Sequence, residues 1–288
     1  LVEHDLHDKI TFAKLGLGMK LLGKDDMSDL MRLILINIFD VMKETFQSPK
    51  LQAALALDAV IGTPMGPRSP NTVFTYLHRF FGEVLGFEGA TQVKGGMGML
   101  GAALSNAATD LGAVVRCDTS VASIDKTFDR VTGVTLSSGE HITAKLVVSS
   151  ADPKTTFKSL LGYQHMEAGL VRRIEQIRFK SGTVKVHLAL SGLPTFAGLD
   201  QSALGQRLVI APSLNALESA FNPLKYDESS ARPVMDISIP SINDPSLAPN
   251  GQHVLSAIVQ YAPLTPKGGW EALRAPFMAA VIAELTRY

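Results

Sequence analysis

At 288 residues the chain is long for one domain and comfortable for two, and a chain of this size buries about three quarters of its unfolded surface without needing staples. Its composition, 46% apolar and 19% charged, is that of an ordinary globular protein on the greasy side. Lys plus Arg balance Asp plus Glu at 27 each, which removes the electrostatic case for a nucleic acid or an acidic membrane as partner, and the lone cysteine, Cys117, excludes an internal disulfide and any Cys-x-x-Cys metal or redox site.

The first ninety residues read as mostly helical. The most apolar run, Leu30 to Phe39, is interrupted by Arg32 and Asn37 and stops at Asp40. It falls well short of the roughly 20 residues that span a bilayer, so it reads as a buried or membrane-touching helix. Leu30 to Gln47 carries apolar residues around most of its circumference, as in a helix packed on several sides. Pro49 to Ile61 is a second helix, with Ser48 as N-cap and Pro49 at the first helical position. Gly62 to Pro70 is a loop dense in Gly and Pro, and Asn71 to Gly82 a third helix. The chain opens at Leu1 without a methionine and stops inside a helical pattern at Tyr288, so both ends are expected to be cuts in a longer protein.

From Gly95 the texture changes. Gly101 to Leu111 is a small-residue helix with Gly112 as its stop, and Ala113 to Ile124 follows as a strand or strand pair. Arg130 to Leu136 and Ile142 to Ser149 flank the turn Ser137–Glu140 as a hairpin. Leu146–Val148 is a continuous apolar run, expected of a strand covered on both faces. Asp152 then caps another helix, with Pro153 in its first turn. Thr183 to Leu190 alternates, placing Val184, Val186, Leu188 and Leu190 on one face and Thr183, Lys185 and His187 on the other. Val234 to Ile239 and His253 to Tyr261 are further strands, and Trp270 to Arg287 is a helix. Helices, then an α/β insert, then more strands point to a mixed α/β chain of two interleaved domains.

Gly96-x-Gly98-x-x-Gly101 has the spacing of a dinucleotide-binding turn, with Asp118 about 20 residues on, near the end of the following strand. Such a turn needs a buried strand ending at its first glycine, and Gly86 to Lys94 has no apolar run that could serve. The alternative is a glycine-rich helix entry that is small because a backbone or ligand passes close. Lysine in the middle of an apolar strand ordinarily projects to solvent; the functional alternative for Lys185 is a cofactor cleft, shared with His187. His187 has no partner at ligand spacing, so no metal site is expected. There is no Gly-x-Ser-x-Gly elbow and no Gly-x-x-x-x-Gly-Lys-Ser/Thr phosphate loop.

Taken in order, "GGMGMLGAALSNAATDLGAVVRCDTSVASI" and "VTGVTLSSGEHITAKLVVSSADP" resemble the middle of the phytoene-desaturase-like flavoproteins, a branch of the FAD-dependent amine-oxidase superfamily. "SGTVKVHLALSGLPTF" and "ISIPSINDPSLAPNGQHVLSAIVQYAP" resemble its pyridine nucleotide-disulphide oxidoreductase domain subgroup, also labelled phytoene dehydrogenase-related. The resemblance covers nearly the whole chain.

It implies a two-domain FAD-dependent oxidoreductase, with 1–92 and 157–288 in the substrate domain (a helical part, then mixed sheet and helices) and 93–156 a segment of the FAD domain. The family's own ADP-binding Gly-x-Gly-x-x-Gly precedes the matched region, and its C-terminal flavin segment follows it, so the FAD site carried here is expected to be incomplete. By position, Val121 matches the residue whose backbone meets the adenine, and Ser150 and Ala151 match the strand end near the ADP portion. Gly95 and Gly96 match the glycine pair at the domain junction close to the flavin. Lys185 matches the lysine that contacts flavin N5 through water.

The implied reaction is hydride transfer from a small apolar substrate, with the greasy helices from Leu30 to Ile61 lining the substrate cavity. The implied setting is the cytoplasm or an organelle matrix, with peripheral membrane contact. The rivals are an NAD-type dehydrogenase using the Gly96 turn and a non-catalytic binding module.

Overall fold

The computed structural model describes residues 13–14, 16–18, 20–84, 92–180 and 182–288, the side chains of 81–84 excepted. The chain divides into two compact units, Leu1–Gly96 with Lys180–Tyr288, and Met97–Phe179. It leaves the first unit at Gly96 and returns to it at Lys180.

The first unit opens with helices α1 (Lys24–Leu35), α2 (Ile38–Thr45), α3 (Pro49–Val60) and α4 (Thr72–Val84). The single helix expected from Leu30 to Gln47 is two. Ile36 and Asn37 are extended, and the Asn37 side chain accepts a hydrogen bond from Asp40 N at 2.9 Å, restarting the helix as an N-cap. The two halves differ in burial: α1 has no buried residue, whereas Ile38, Phe39 and Met42 of α2 lie in the core. Helix α3 begins as expected, with Ser48 Oγ accepting from Leu51 N and Pro49 in the first turn. Its alanines Ala53, Ala56 and Ala59 are fully covered, which lets α2 and α4 approach closely.

The same unit then forms a four-stranded sheet from β4 (Thr183–Leu190), β5 (Leu208–Ile210), β6 (Val234–Ser238) and β7 (His253–Gln260), in the order β4-β7-β6-β5 with every pair antiparallel. Helices α7 (Leu214–Phe221), the short α8 (Pro240–Asn243) and α9 (Gly269–Leu285) complete it. One face carries Val186, Met235, Ile237, Leu255, Ala257 and Val259, all buried with Phe277 and Val281 of α9. Among the described residues the opposite face meets the helices at one end, where Val234, Tyr261 and half-buried Val209 join the core of α2, α3 and α7. Gln260, buried on that face, ties the layers: its amide nitrogen donates to Val60 O and Thr63 O at 2.9 and 2.8 Å, and its oxygen accepts from Gly62 N at 3.0 Å.

The second unit holds helix α5 (Met97–Asp110), strands β1 (Val121–Thr127), β2 (Arg130–Leu136) and β3 (His141–Thr143) in one antiparallel sheet, a π-helical turn Thr155–Leu161 and helix α6 (Ala168–Gln176). The β2–β3 hairpin forms where expected, but Ala113–Ser120 and Leu146–Val148 are not strands. Val114, Leu146 and Val148 are 85%, 77% and 87% exposed. Their apolar runs would support two-sided cover, yet no strand among the described residues pairs with them, so the backbone has no ladder to join. Asp152 does cap: it accepts from Lys154 N and Thr155 N at 2.9 and 3.0 Å. Among the described residues no helix is long and apolar enough to cross a membrane.

Candidate functional site

Antiparallel partners point to the same side of a sheet, so the register of β4, β7 and β6 lists what the open face carries, row by row. The row Thr183–Gln260–Val234 lies under the helices. Next comes Lys185–Ile258–Asp236, then His187–Ser256–Ser238, then Ala189–Val254. Lys185, His187, Ala189 and Ser238 are exposed, Ile258 and Val254 half-buried, and Ser256 buried. The face is thus covered at the Gln260 end and opens progressively along β4, whose outer edge is unpaired among the described residues. Among the described residues Lys185 forms no ion pair or hydrogen bond, and neither does the His187 ring.

The nearest carboxylate across the sheet is occupied. Asp236 Oδ2 accepts from Arg207 Nε at 3.0 Å, and the same guanidinium grips Asp58 of α3 through two nitrogens at 2.9 and 2.7 Å. Arg79 Nε approaches Asp58 at 3.5 Å. Burial pulls the Arg207 pKa down, but hydrogen bonds to Asp58 and Asp236 outweigh it and leave the guanidinium more firmly charged than usual. With Asp236 committed to Arg207, Lys185 keeps an uncompensated charge on the open face.

The glycine turn is built for close approach rather than for phosphate. Gly95 and Gly96 have φ of 81° and 87°, a region that non-glycine residues seldom adopt. Gly95 N donates to Asp244 Oδ2 at 2.6 Å and Gly96 N to Val93 O at 2.9 Å, so both amides are already engaged. Asp244 is 7% exposed; its carboxyl is held below the usual range first by the Ser246 hydroxyl, which donates at 2.6 Å, and then by the Gly95 amide. A carboxylate on the first amide of the turn repels a second anion. Residues 92–94 just before it are coil and turn, and 86–91 of the stretch expected to lack a strand lie outside the described residues. Asp118, read as the end of a strand, sits in a turn with φ of 50°.

Lys185 and the Gly95–Gly96 pair thus lie in the first unit, and the other three positions in the second. Val121 opens β1, is 38% exposed and pairs with Leu136 just before an irregularity in the ladder. Ser150 and Ala151 are exposed on the segment that leads to the Asp152 cap, and Ala151 N donates to Ser149 Oγ at 3.3 Å. Ser149 and Ala151 also line a cavity of about 350 Å³ with Ile124, Val131, Val147 and Phe157. Sequence reasoning missed Ser256, Gln260 and Asp244. The alternation of β7 marked Ser256 and Gln260 as sharing one face, but only the register with β4 reveals their neighbours, and Asp244 meets Gly95 across 149 residues.

Residues 15–267 match the family model of flavin containing amine oxidoreductases. Pyridine nucleotide-disulfide oxidoreductase domain-containing protein 2 of Rattus norvegicus is 36% identical over 244 residues, covering 81% of this chain and 42% of that protein. Phytoene dehydrogenase of Streptomyces griseus is 28% identical over 199 residues, covering 67% of this chain and 36% of that protein. The chain therefore spans about two fifths of the length of the curated relatives it matches. A crystal structure of an oxidoreductase from Methanosarcina mazei shares the fold, with a TM-score of 0.57 and 16% identity over 93% of this chain and 58% of that one. A match over most of its length places the chain in the flavin-containing amine oxidoreductase family.

Proposed function

We propose that the chain is part of an FAD-dependent oxidoreductase that oxidises a small apolar substrate, and that the open face of β4 and β7 bounds the place where it does so. The carrying observation is Lys185, an unpaired cation on an uncovered sheet face in a chain of a flavin family. When bound, the flavin supplies a two-electron acceptor that takes a hydride at N5. Each unit taken by itself, the residues present suit such a group: in the first, the Lys185 ammonium has no partner among the described residues and Gly95 and Gly96 lack the Cβ that would obstruct a close approach; in the second, Val121, Ser150 and Ala151 are exposed. In the first unit Lys185 and the glycine pair would hold the ring portion, Lys185 supplying a proton at Nζ; in the second, Val121, Ser150 and Ala151 would hold the adenosine portion. Half-buried Ile258 and Val254 offer the substrate an apolar floor, and the layer clamped by Gln260 excludes water from the covered end.

An NAD-type reaction at the glycine turn has no support from the geometry, because its first two amides are spent on Asp244 and Val93. The test is to purify the protein with its natural flanks, record the visible spectrum and identify any nucleotide released on denaturation. Flavin bands with FAD released are the expected result. A colourless protein that binds NAD instead contradicts the reading.

A further inference from the structure

The row His187–Ser256–Ser238 is polar throughout, which contact with a bare hydrocarbon would not call for. Three hydrogen-bonding side chains stand side by side across β4, β7 and β6, on the face that the helices leave open and one row beyond Lys185. Side chains directly opposite in an antiparallel pair lie about 5 Å apart at Cβ, and successive rows on one face are roughly 7 Å apart along the strand. None of the three side chains has a protein partner among the described residues. Ser256 is 7% exposed as a residue, and since no buried side-chain oxygen among the described residues lacks a partner, its unpartnered hydroxyl is the part that reaches the open face. The flanking rows supply apolar contacts, Ile258 on one side and Ala189 with Val254 on the other. Asp236, the carboxylate one row away on this face, has its charge offset by Arg207.

We infer that His187 and Ser256 form a polar subsite that recognises an oxygen acceptor on the substrate, so that the substrate is an apolar molecule carrying a hydroxyl, carbonyl or carboxylate head. This rests on the reading that the open face bounds the flavin-bearing cleft. Recognition by hydrogen bonding is selective in a way that apolar packing is not. A subsite built for an oxygen is left with unpaired donors when the head is missing, whereas one methylene more or less changes binding by only about 10- to 200-fold. His187 and Ser256 touch the substrate and set its identity and register; neither is assigned a step in the oxidation.

The experiment uses the full-length, flavin-loaded protein without turnover and reads the perturbation of the flavin's visible band on titration with three matched probes, n-decane, 1-decanol and decanoate. The wild type is expected to bind decanol or decanoate more tightly than decane. His187→Ala and Ser256→Ala should each weaken the oxygenated probes about tenfold and leave decane unchanged, and His187→Gln, which keeps a donor, should restore much of the loss. Decanol against decanoate tells whether the head is neutral or anionic. Ser256→Ala is close to isosteric and His187 is exposed, so neither change threatens the fold.

Equal binding of all three probes by the wild type overturns the subsite, and so does unchanged binding in both alanine variants. Lys185→Met separates the two levels of the argument. If it alters the flavin spectrum while the His187 and Ser256 variants do nothing, the subsite fails and the placement of the face stands. If Lys185→Met leaves the spectrum untouched and no probe perturbs it, the placement fails and the subsite with it.

Discussion

Asp244 shows what a single carboxylate does for the glycine turn. Its two oxygens accept from Gly95 N, Ser246 N and Ser246 Oγ, and the carboxyl pKa is depressed by those bonds. A depressed carboxylate stabilises the fold above the pKa of the unfolded chain, about 4, and loses that contribution as pH falls through the lower folded value. The Gly95 amide should therefore be protected from hydrogen exchange near neutrality and lose that protection only in strong acid. Asp244→Ala, which removes the acceptor, should remove most of the protection at every pH. Equal protection in the variant and the wild type would show that the turn does not depend on this side chain. Little of this was legible beforehand. The glycine spacing was visible, but it advertised a phosphate site, and the residue that occupies the Gly95 amide lies too far along the chain for spacing to reveal.

At the scale of elements, β4 was readable to the residue, because strict alternation over eight positions sorts Val184, Val186, Leu188 and Leu190 from Lys185 and His187. Helix α3 was equally plain, since Ser48 and Pro49 mark its start locally. The break between α1 and α2 was not, because the apolar pattern runs through Ile36 while the competing signal is one asparagine side chain. Pairing was hidden for a general reason: register is decided between strands and helices that meet only after folding.

Gln260 is the clearest case, a buried amide on β7 that satisfies three backbone groups of the segment from Val60 to Thr63. Gln260→Ala should leave Gly62 N and Thr63 O without this partner, while Val60 O keeps its bonds from Thr63 N and the Thr63 hydroxyl, and should cost roughly 3 kcal/mol. Tyr261→Phe, which removes only the hydroxyl bond to Met65 O at 3.0 Å, should cost about 1 kcal/mol. Hydrogen exchange at the Gly62 amide reads the first directly. An opening free energy unchanged by Gln260→Ala would mean that the helical layer does not depend on the clamp.

At the scale of the whole molecule, the two units differ in how well they cover their own apolar residues. The first has two well-buried clusters, whereas in the second Leu111, Val114, Phe128, Leu146 and Val148 are each more than three quarters exposed. Apolar surface of that extent binds hydrophobic dyes. The 288-residue chain should enhance ANS fluorescence under native conditions, and the triple variant Val114→Thr, Leu146→Thr, Val148→Thr should lower the signal with the circular dichroism unchanged. No enhancement by the parent chain would contradict the exposure described. Composition and periodicity had marked Leu146–Val148 as a two-sided strand, and the absence of a pairing strand among the described residues explains why it is not one.

The central claim is that Lys185, on the open face of β4, stands toward the flavin, and anaerobic stopped-flow reduction of the full-length, FAD-loaded protein tests it most directly. Lys185→Met keeps the length of the side chain and removes only its charge and donors. The account predicts that substrate reduces the flavin about 10- to 100-fold more slowly in the variant, with FAD content and circular dichroism unchanged. Reduction at the wild-type rate would contradict it and return Lys185 to the status of an ordinary solvent-facing lysine.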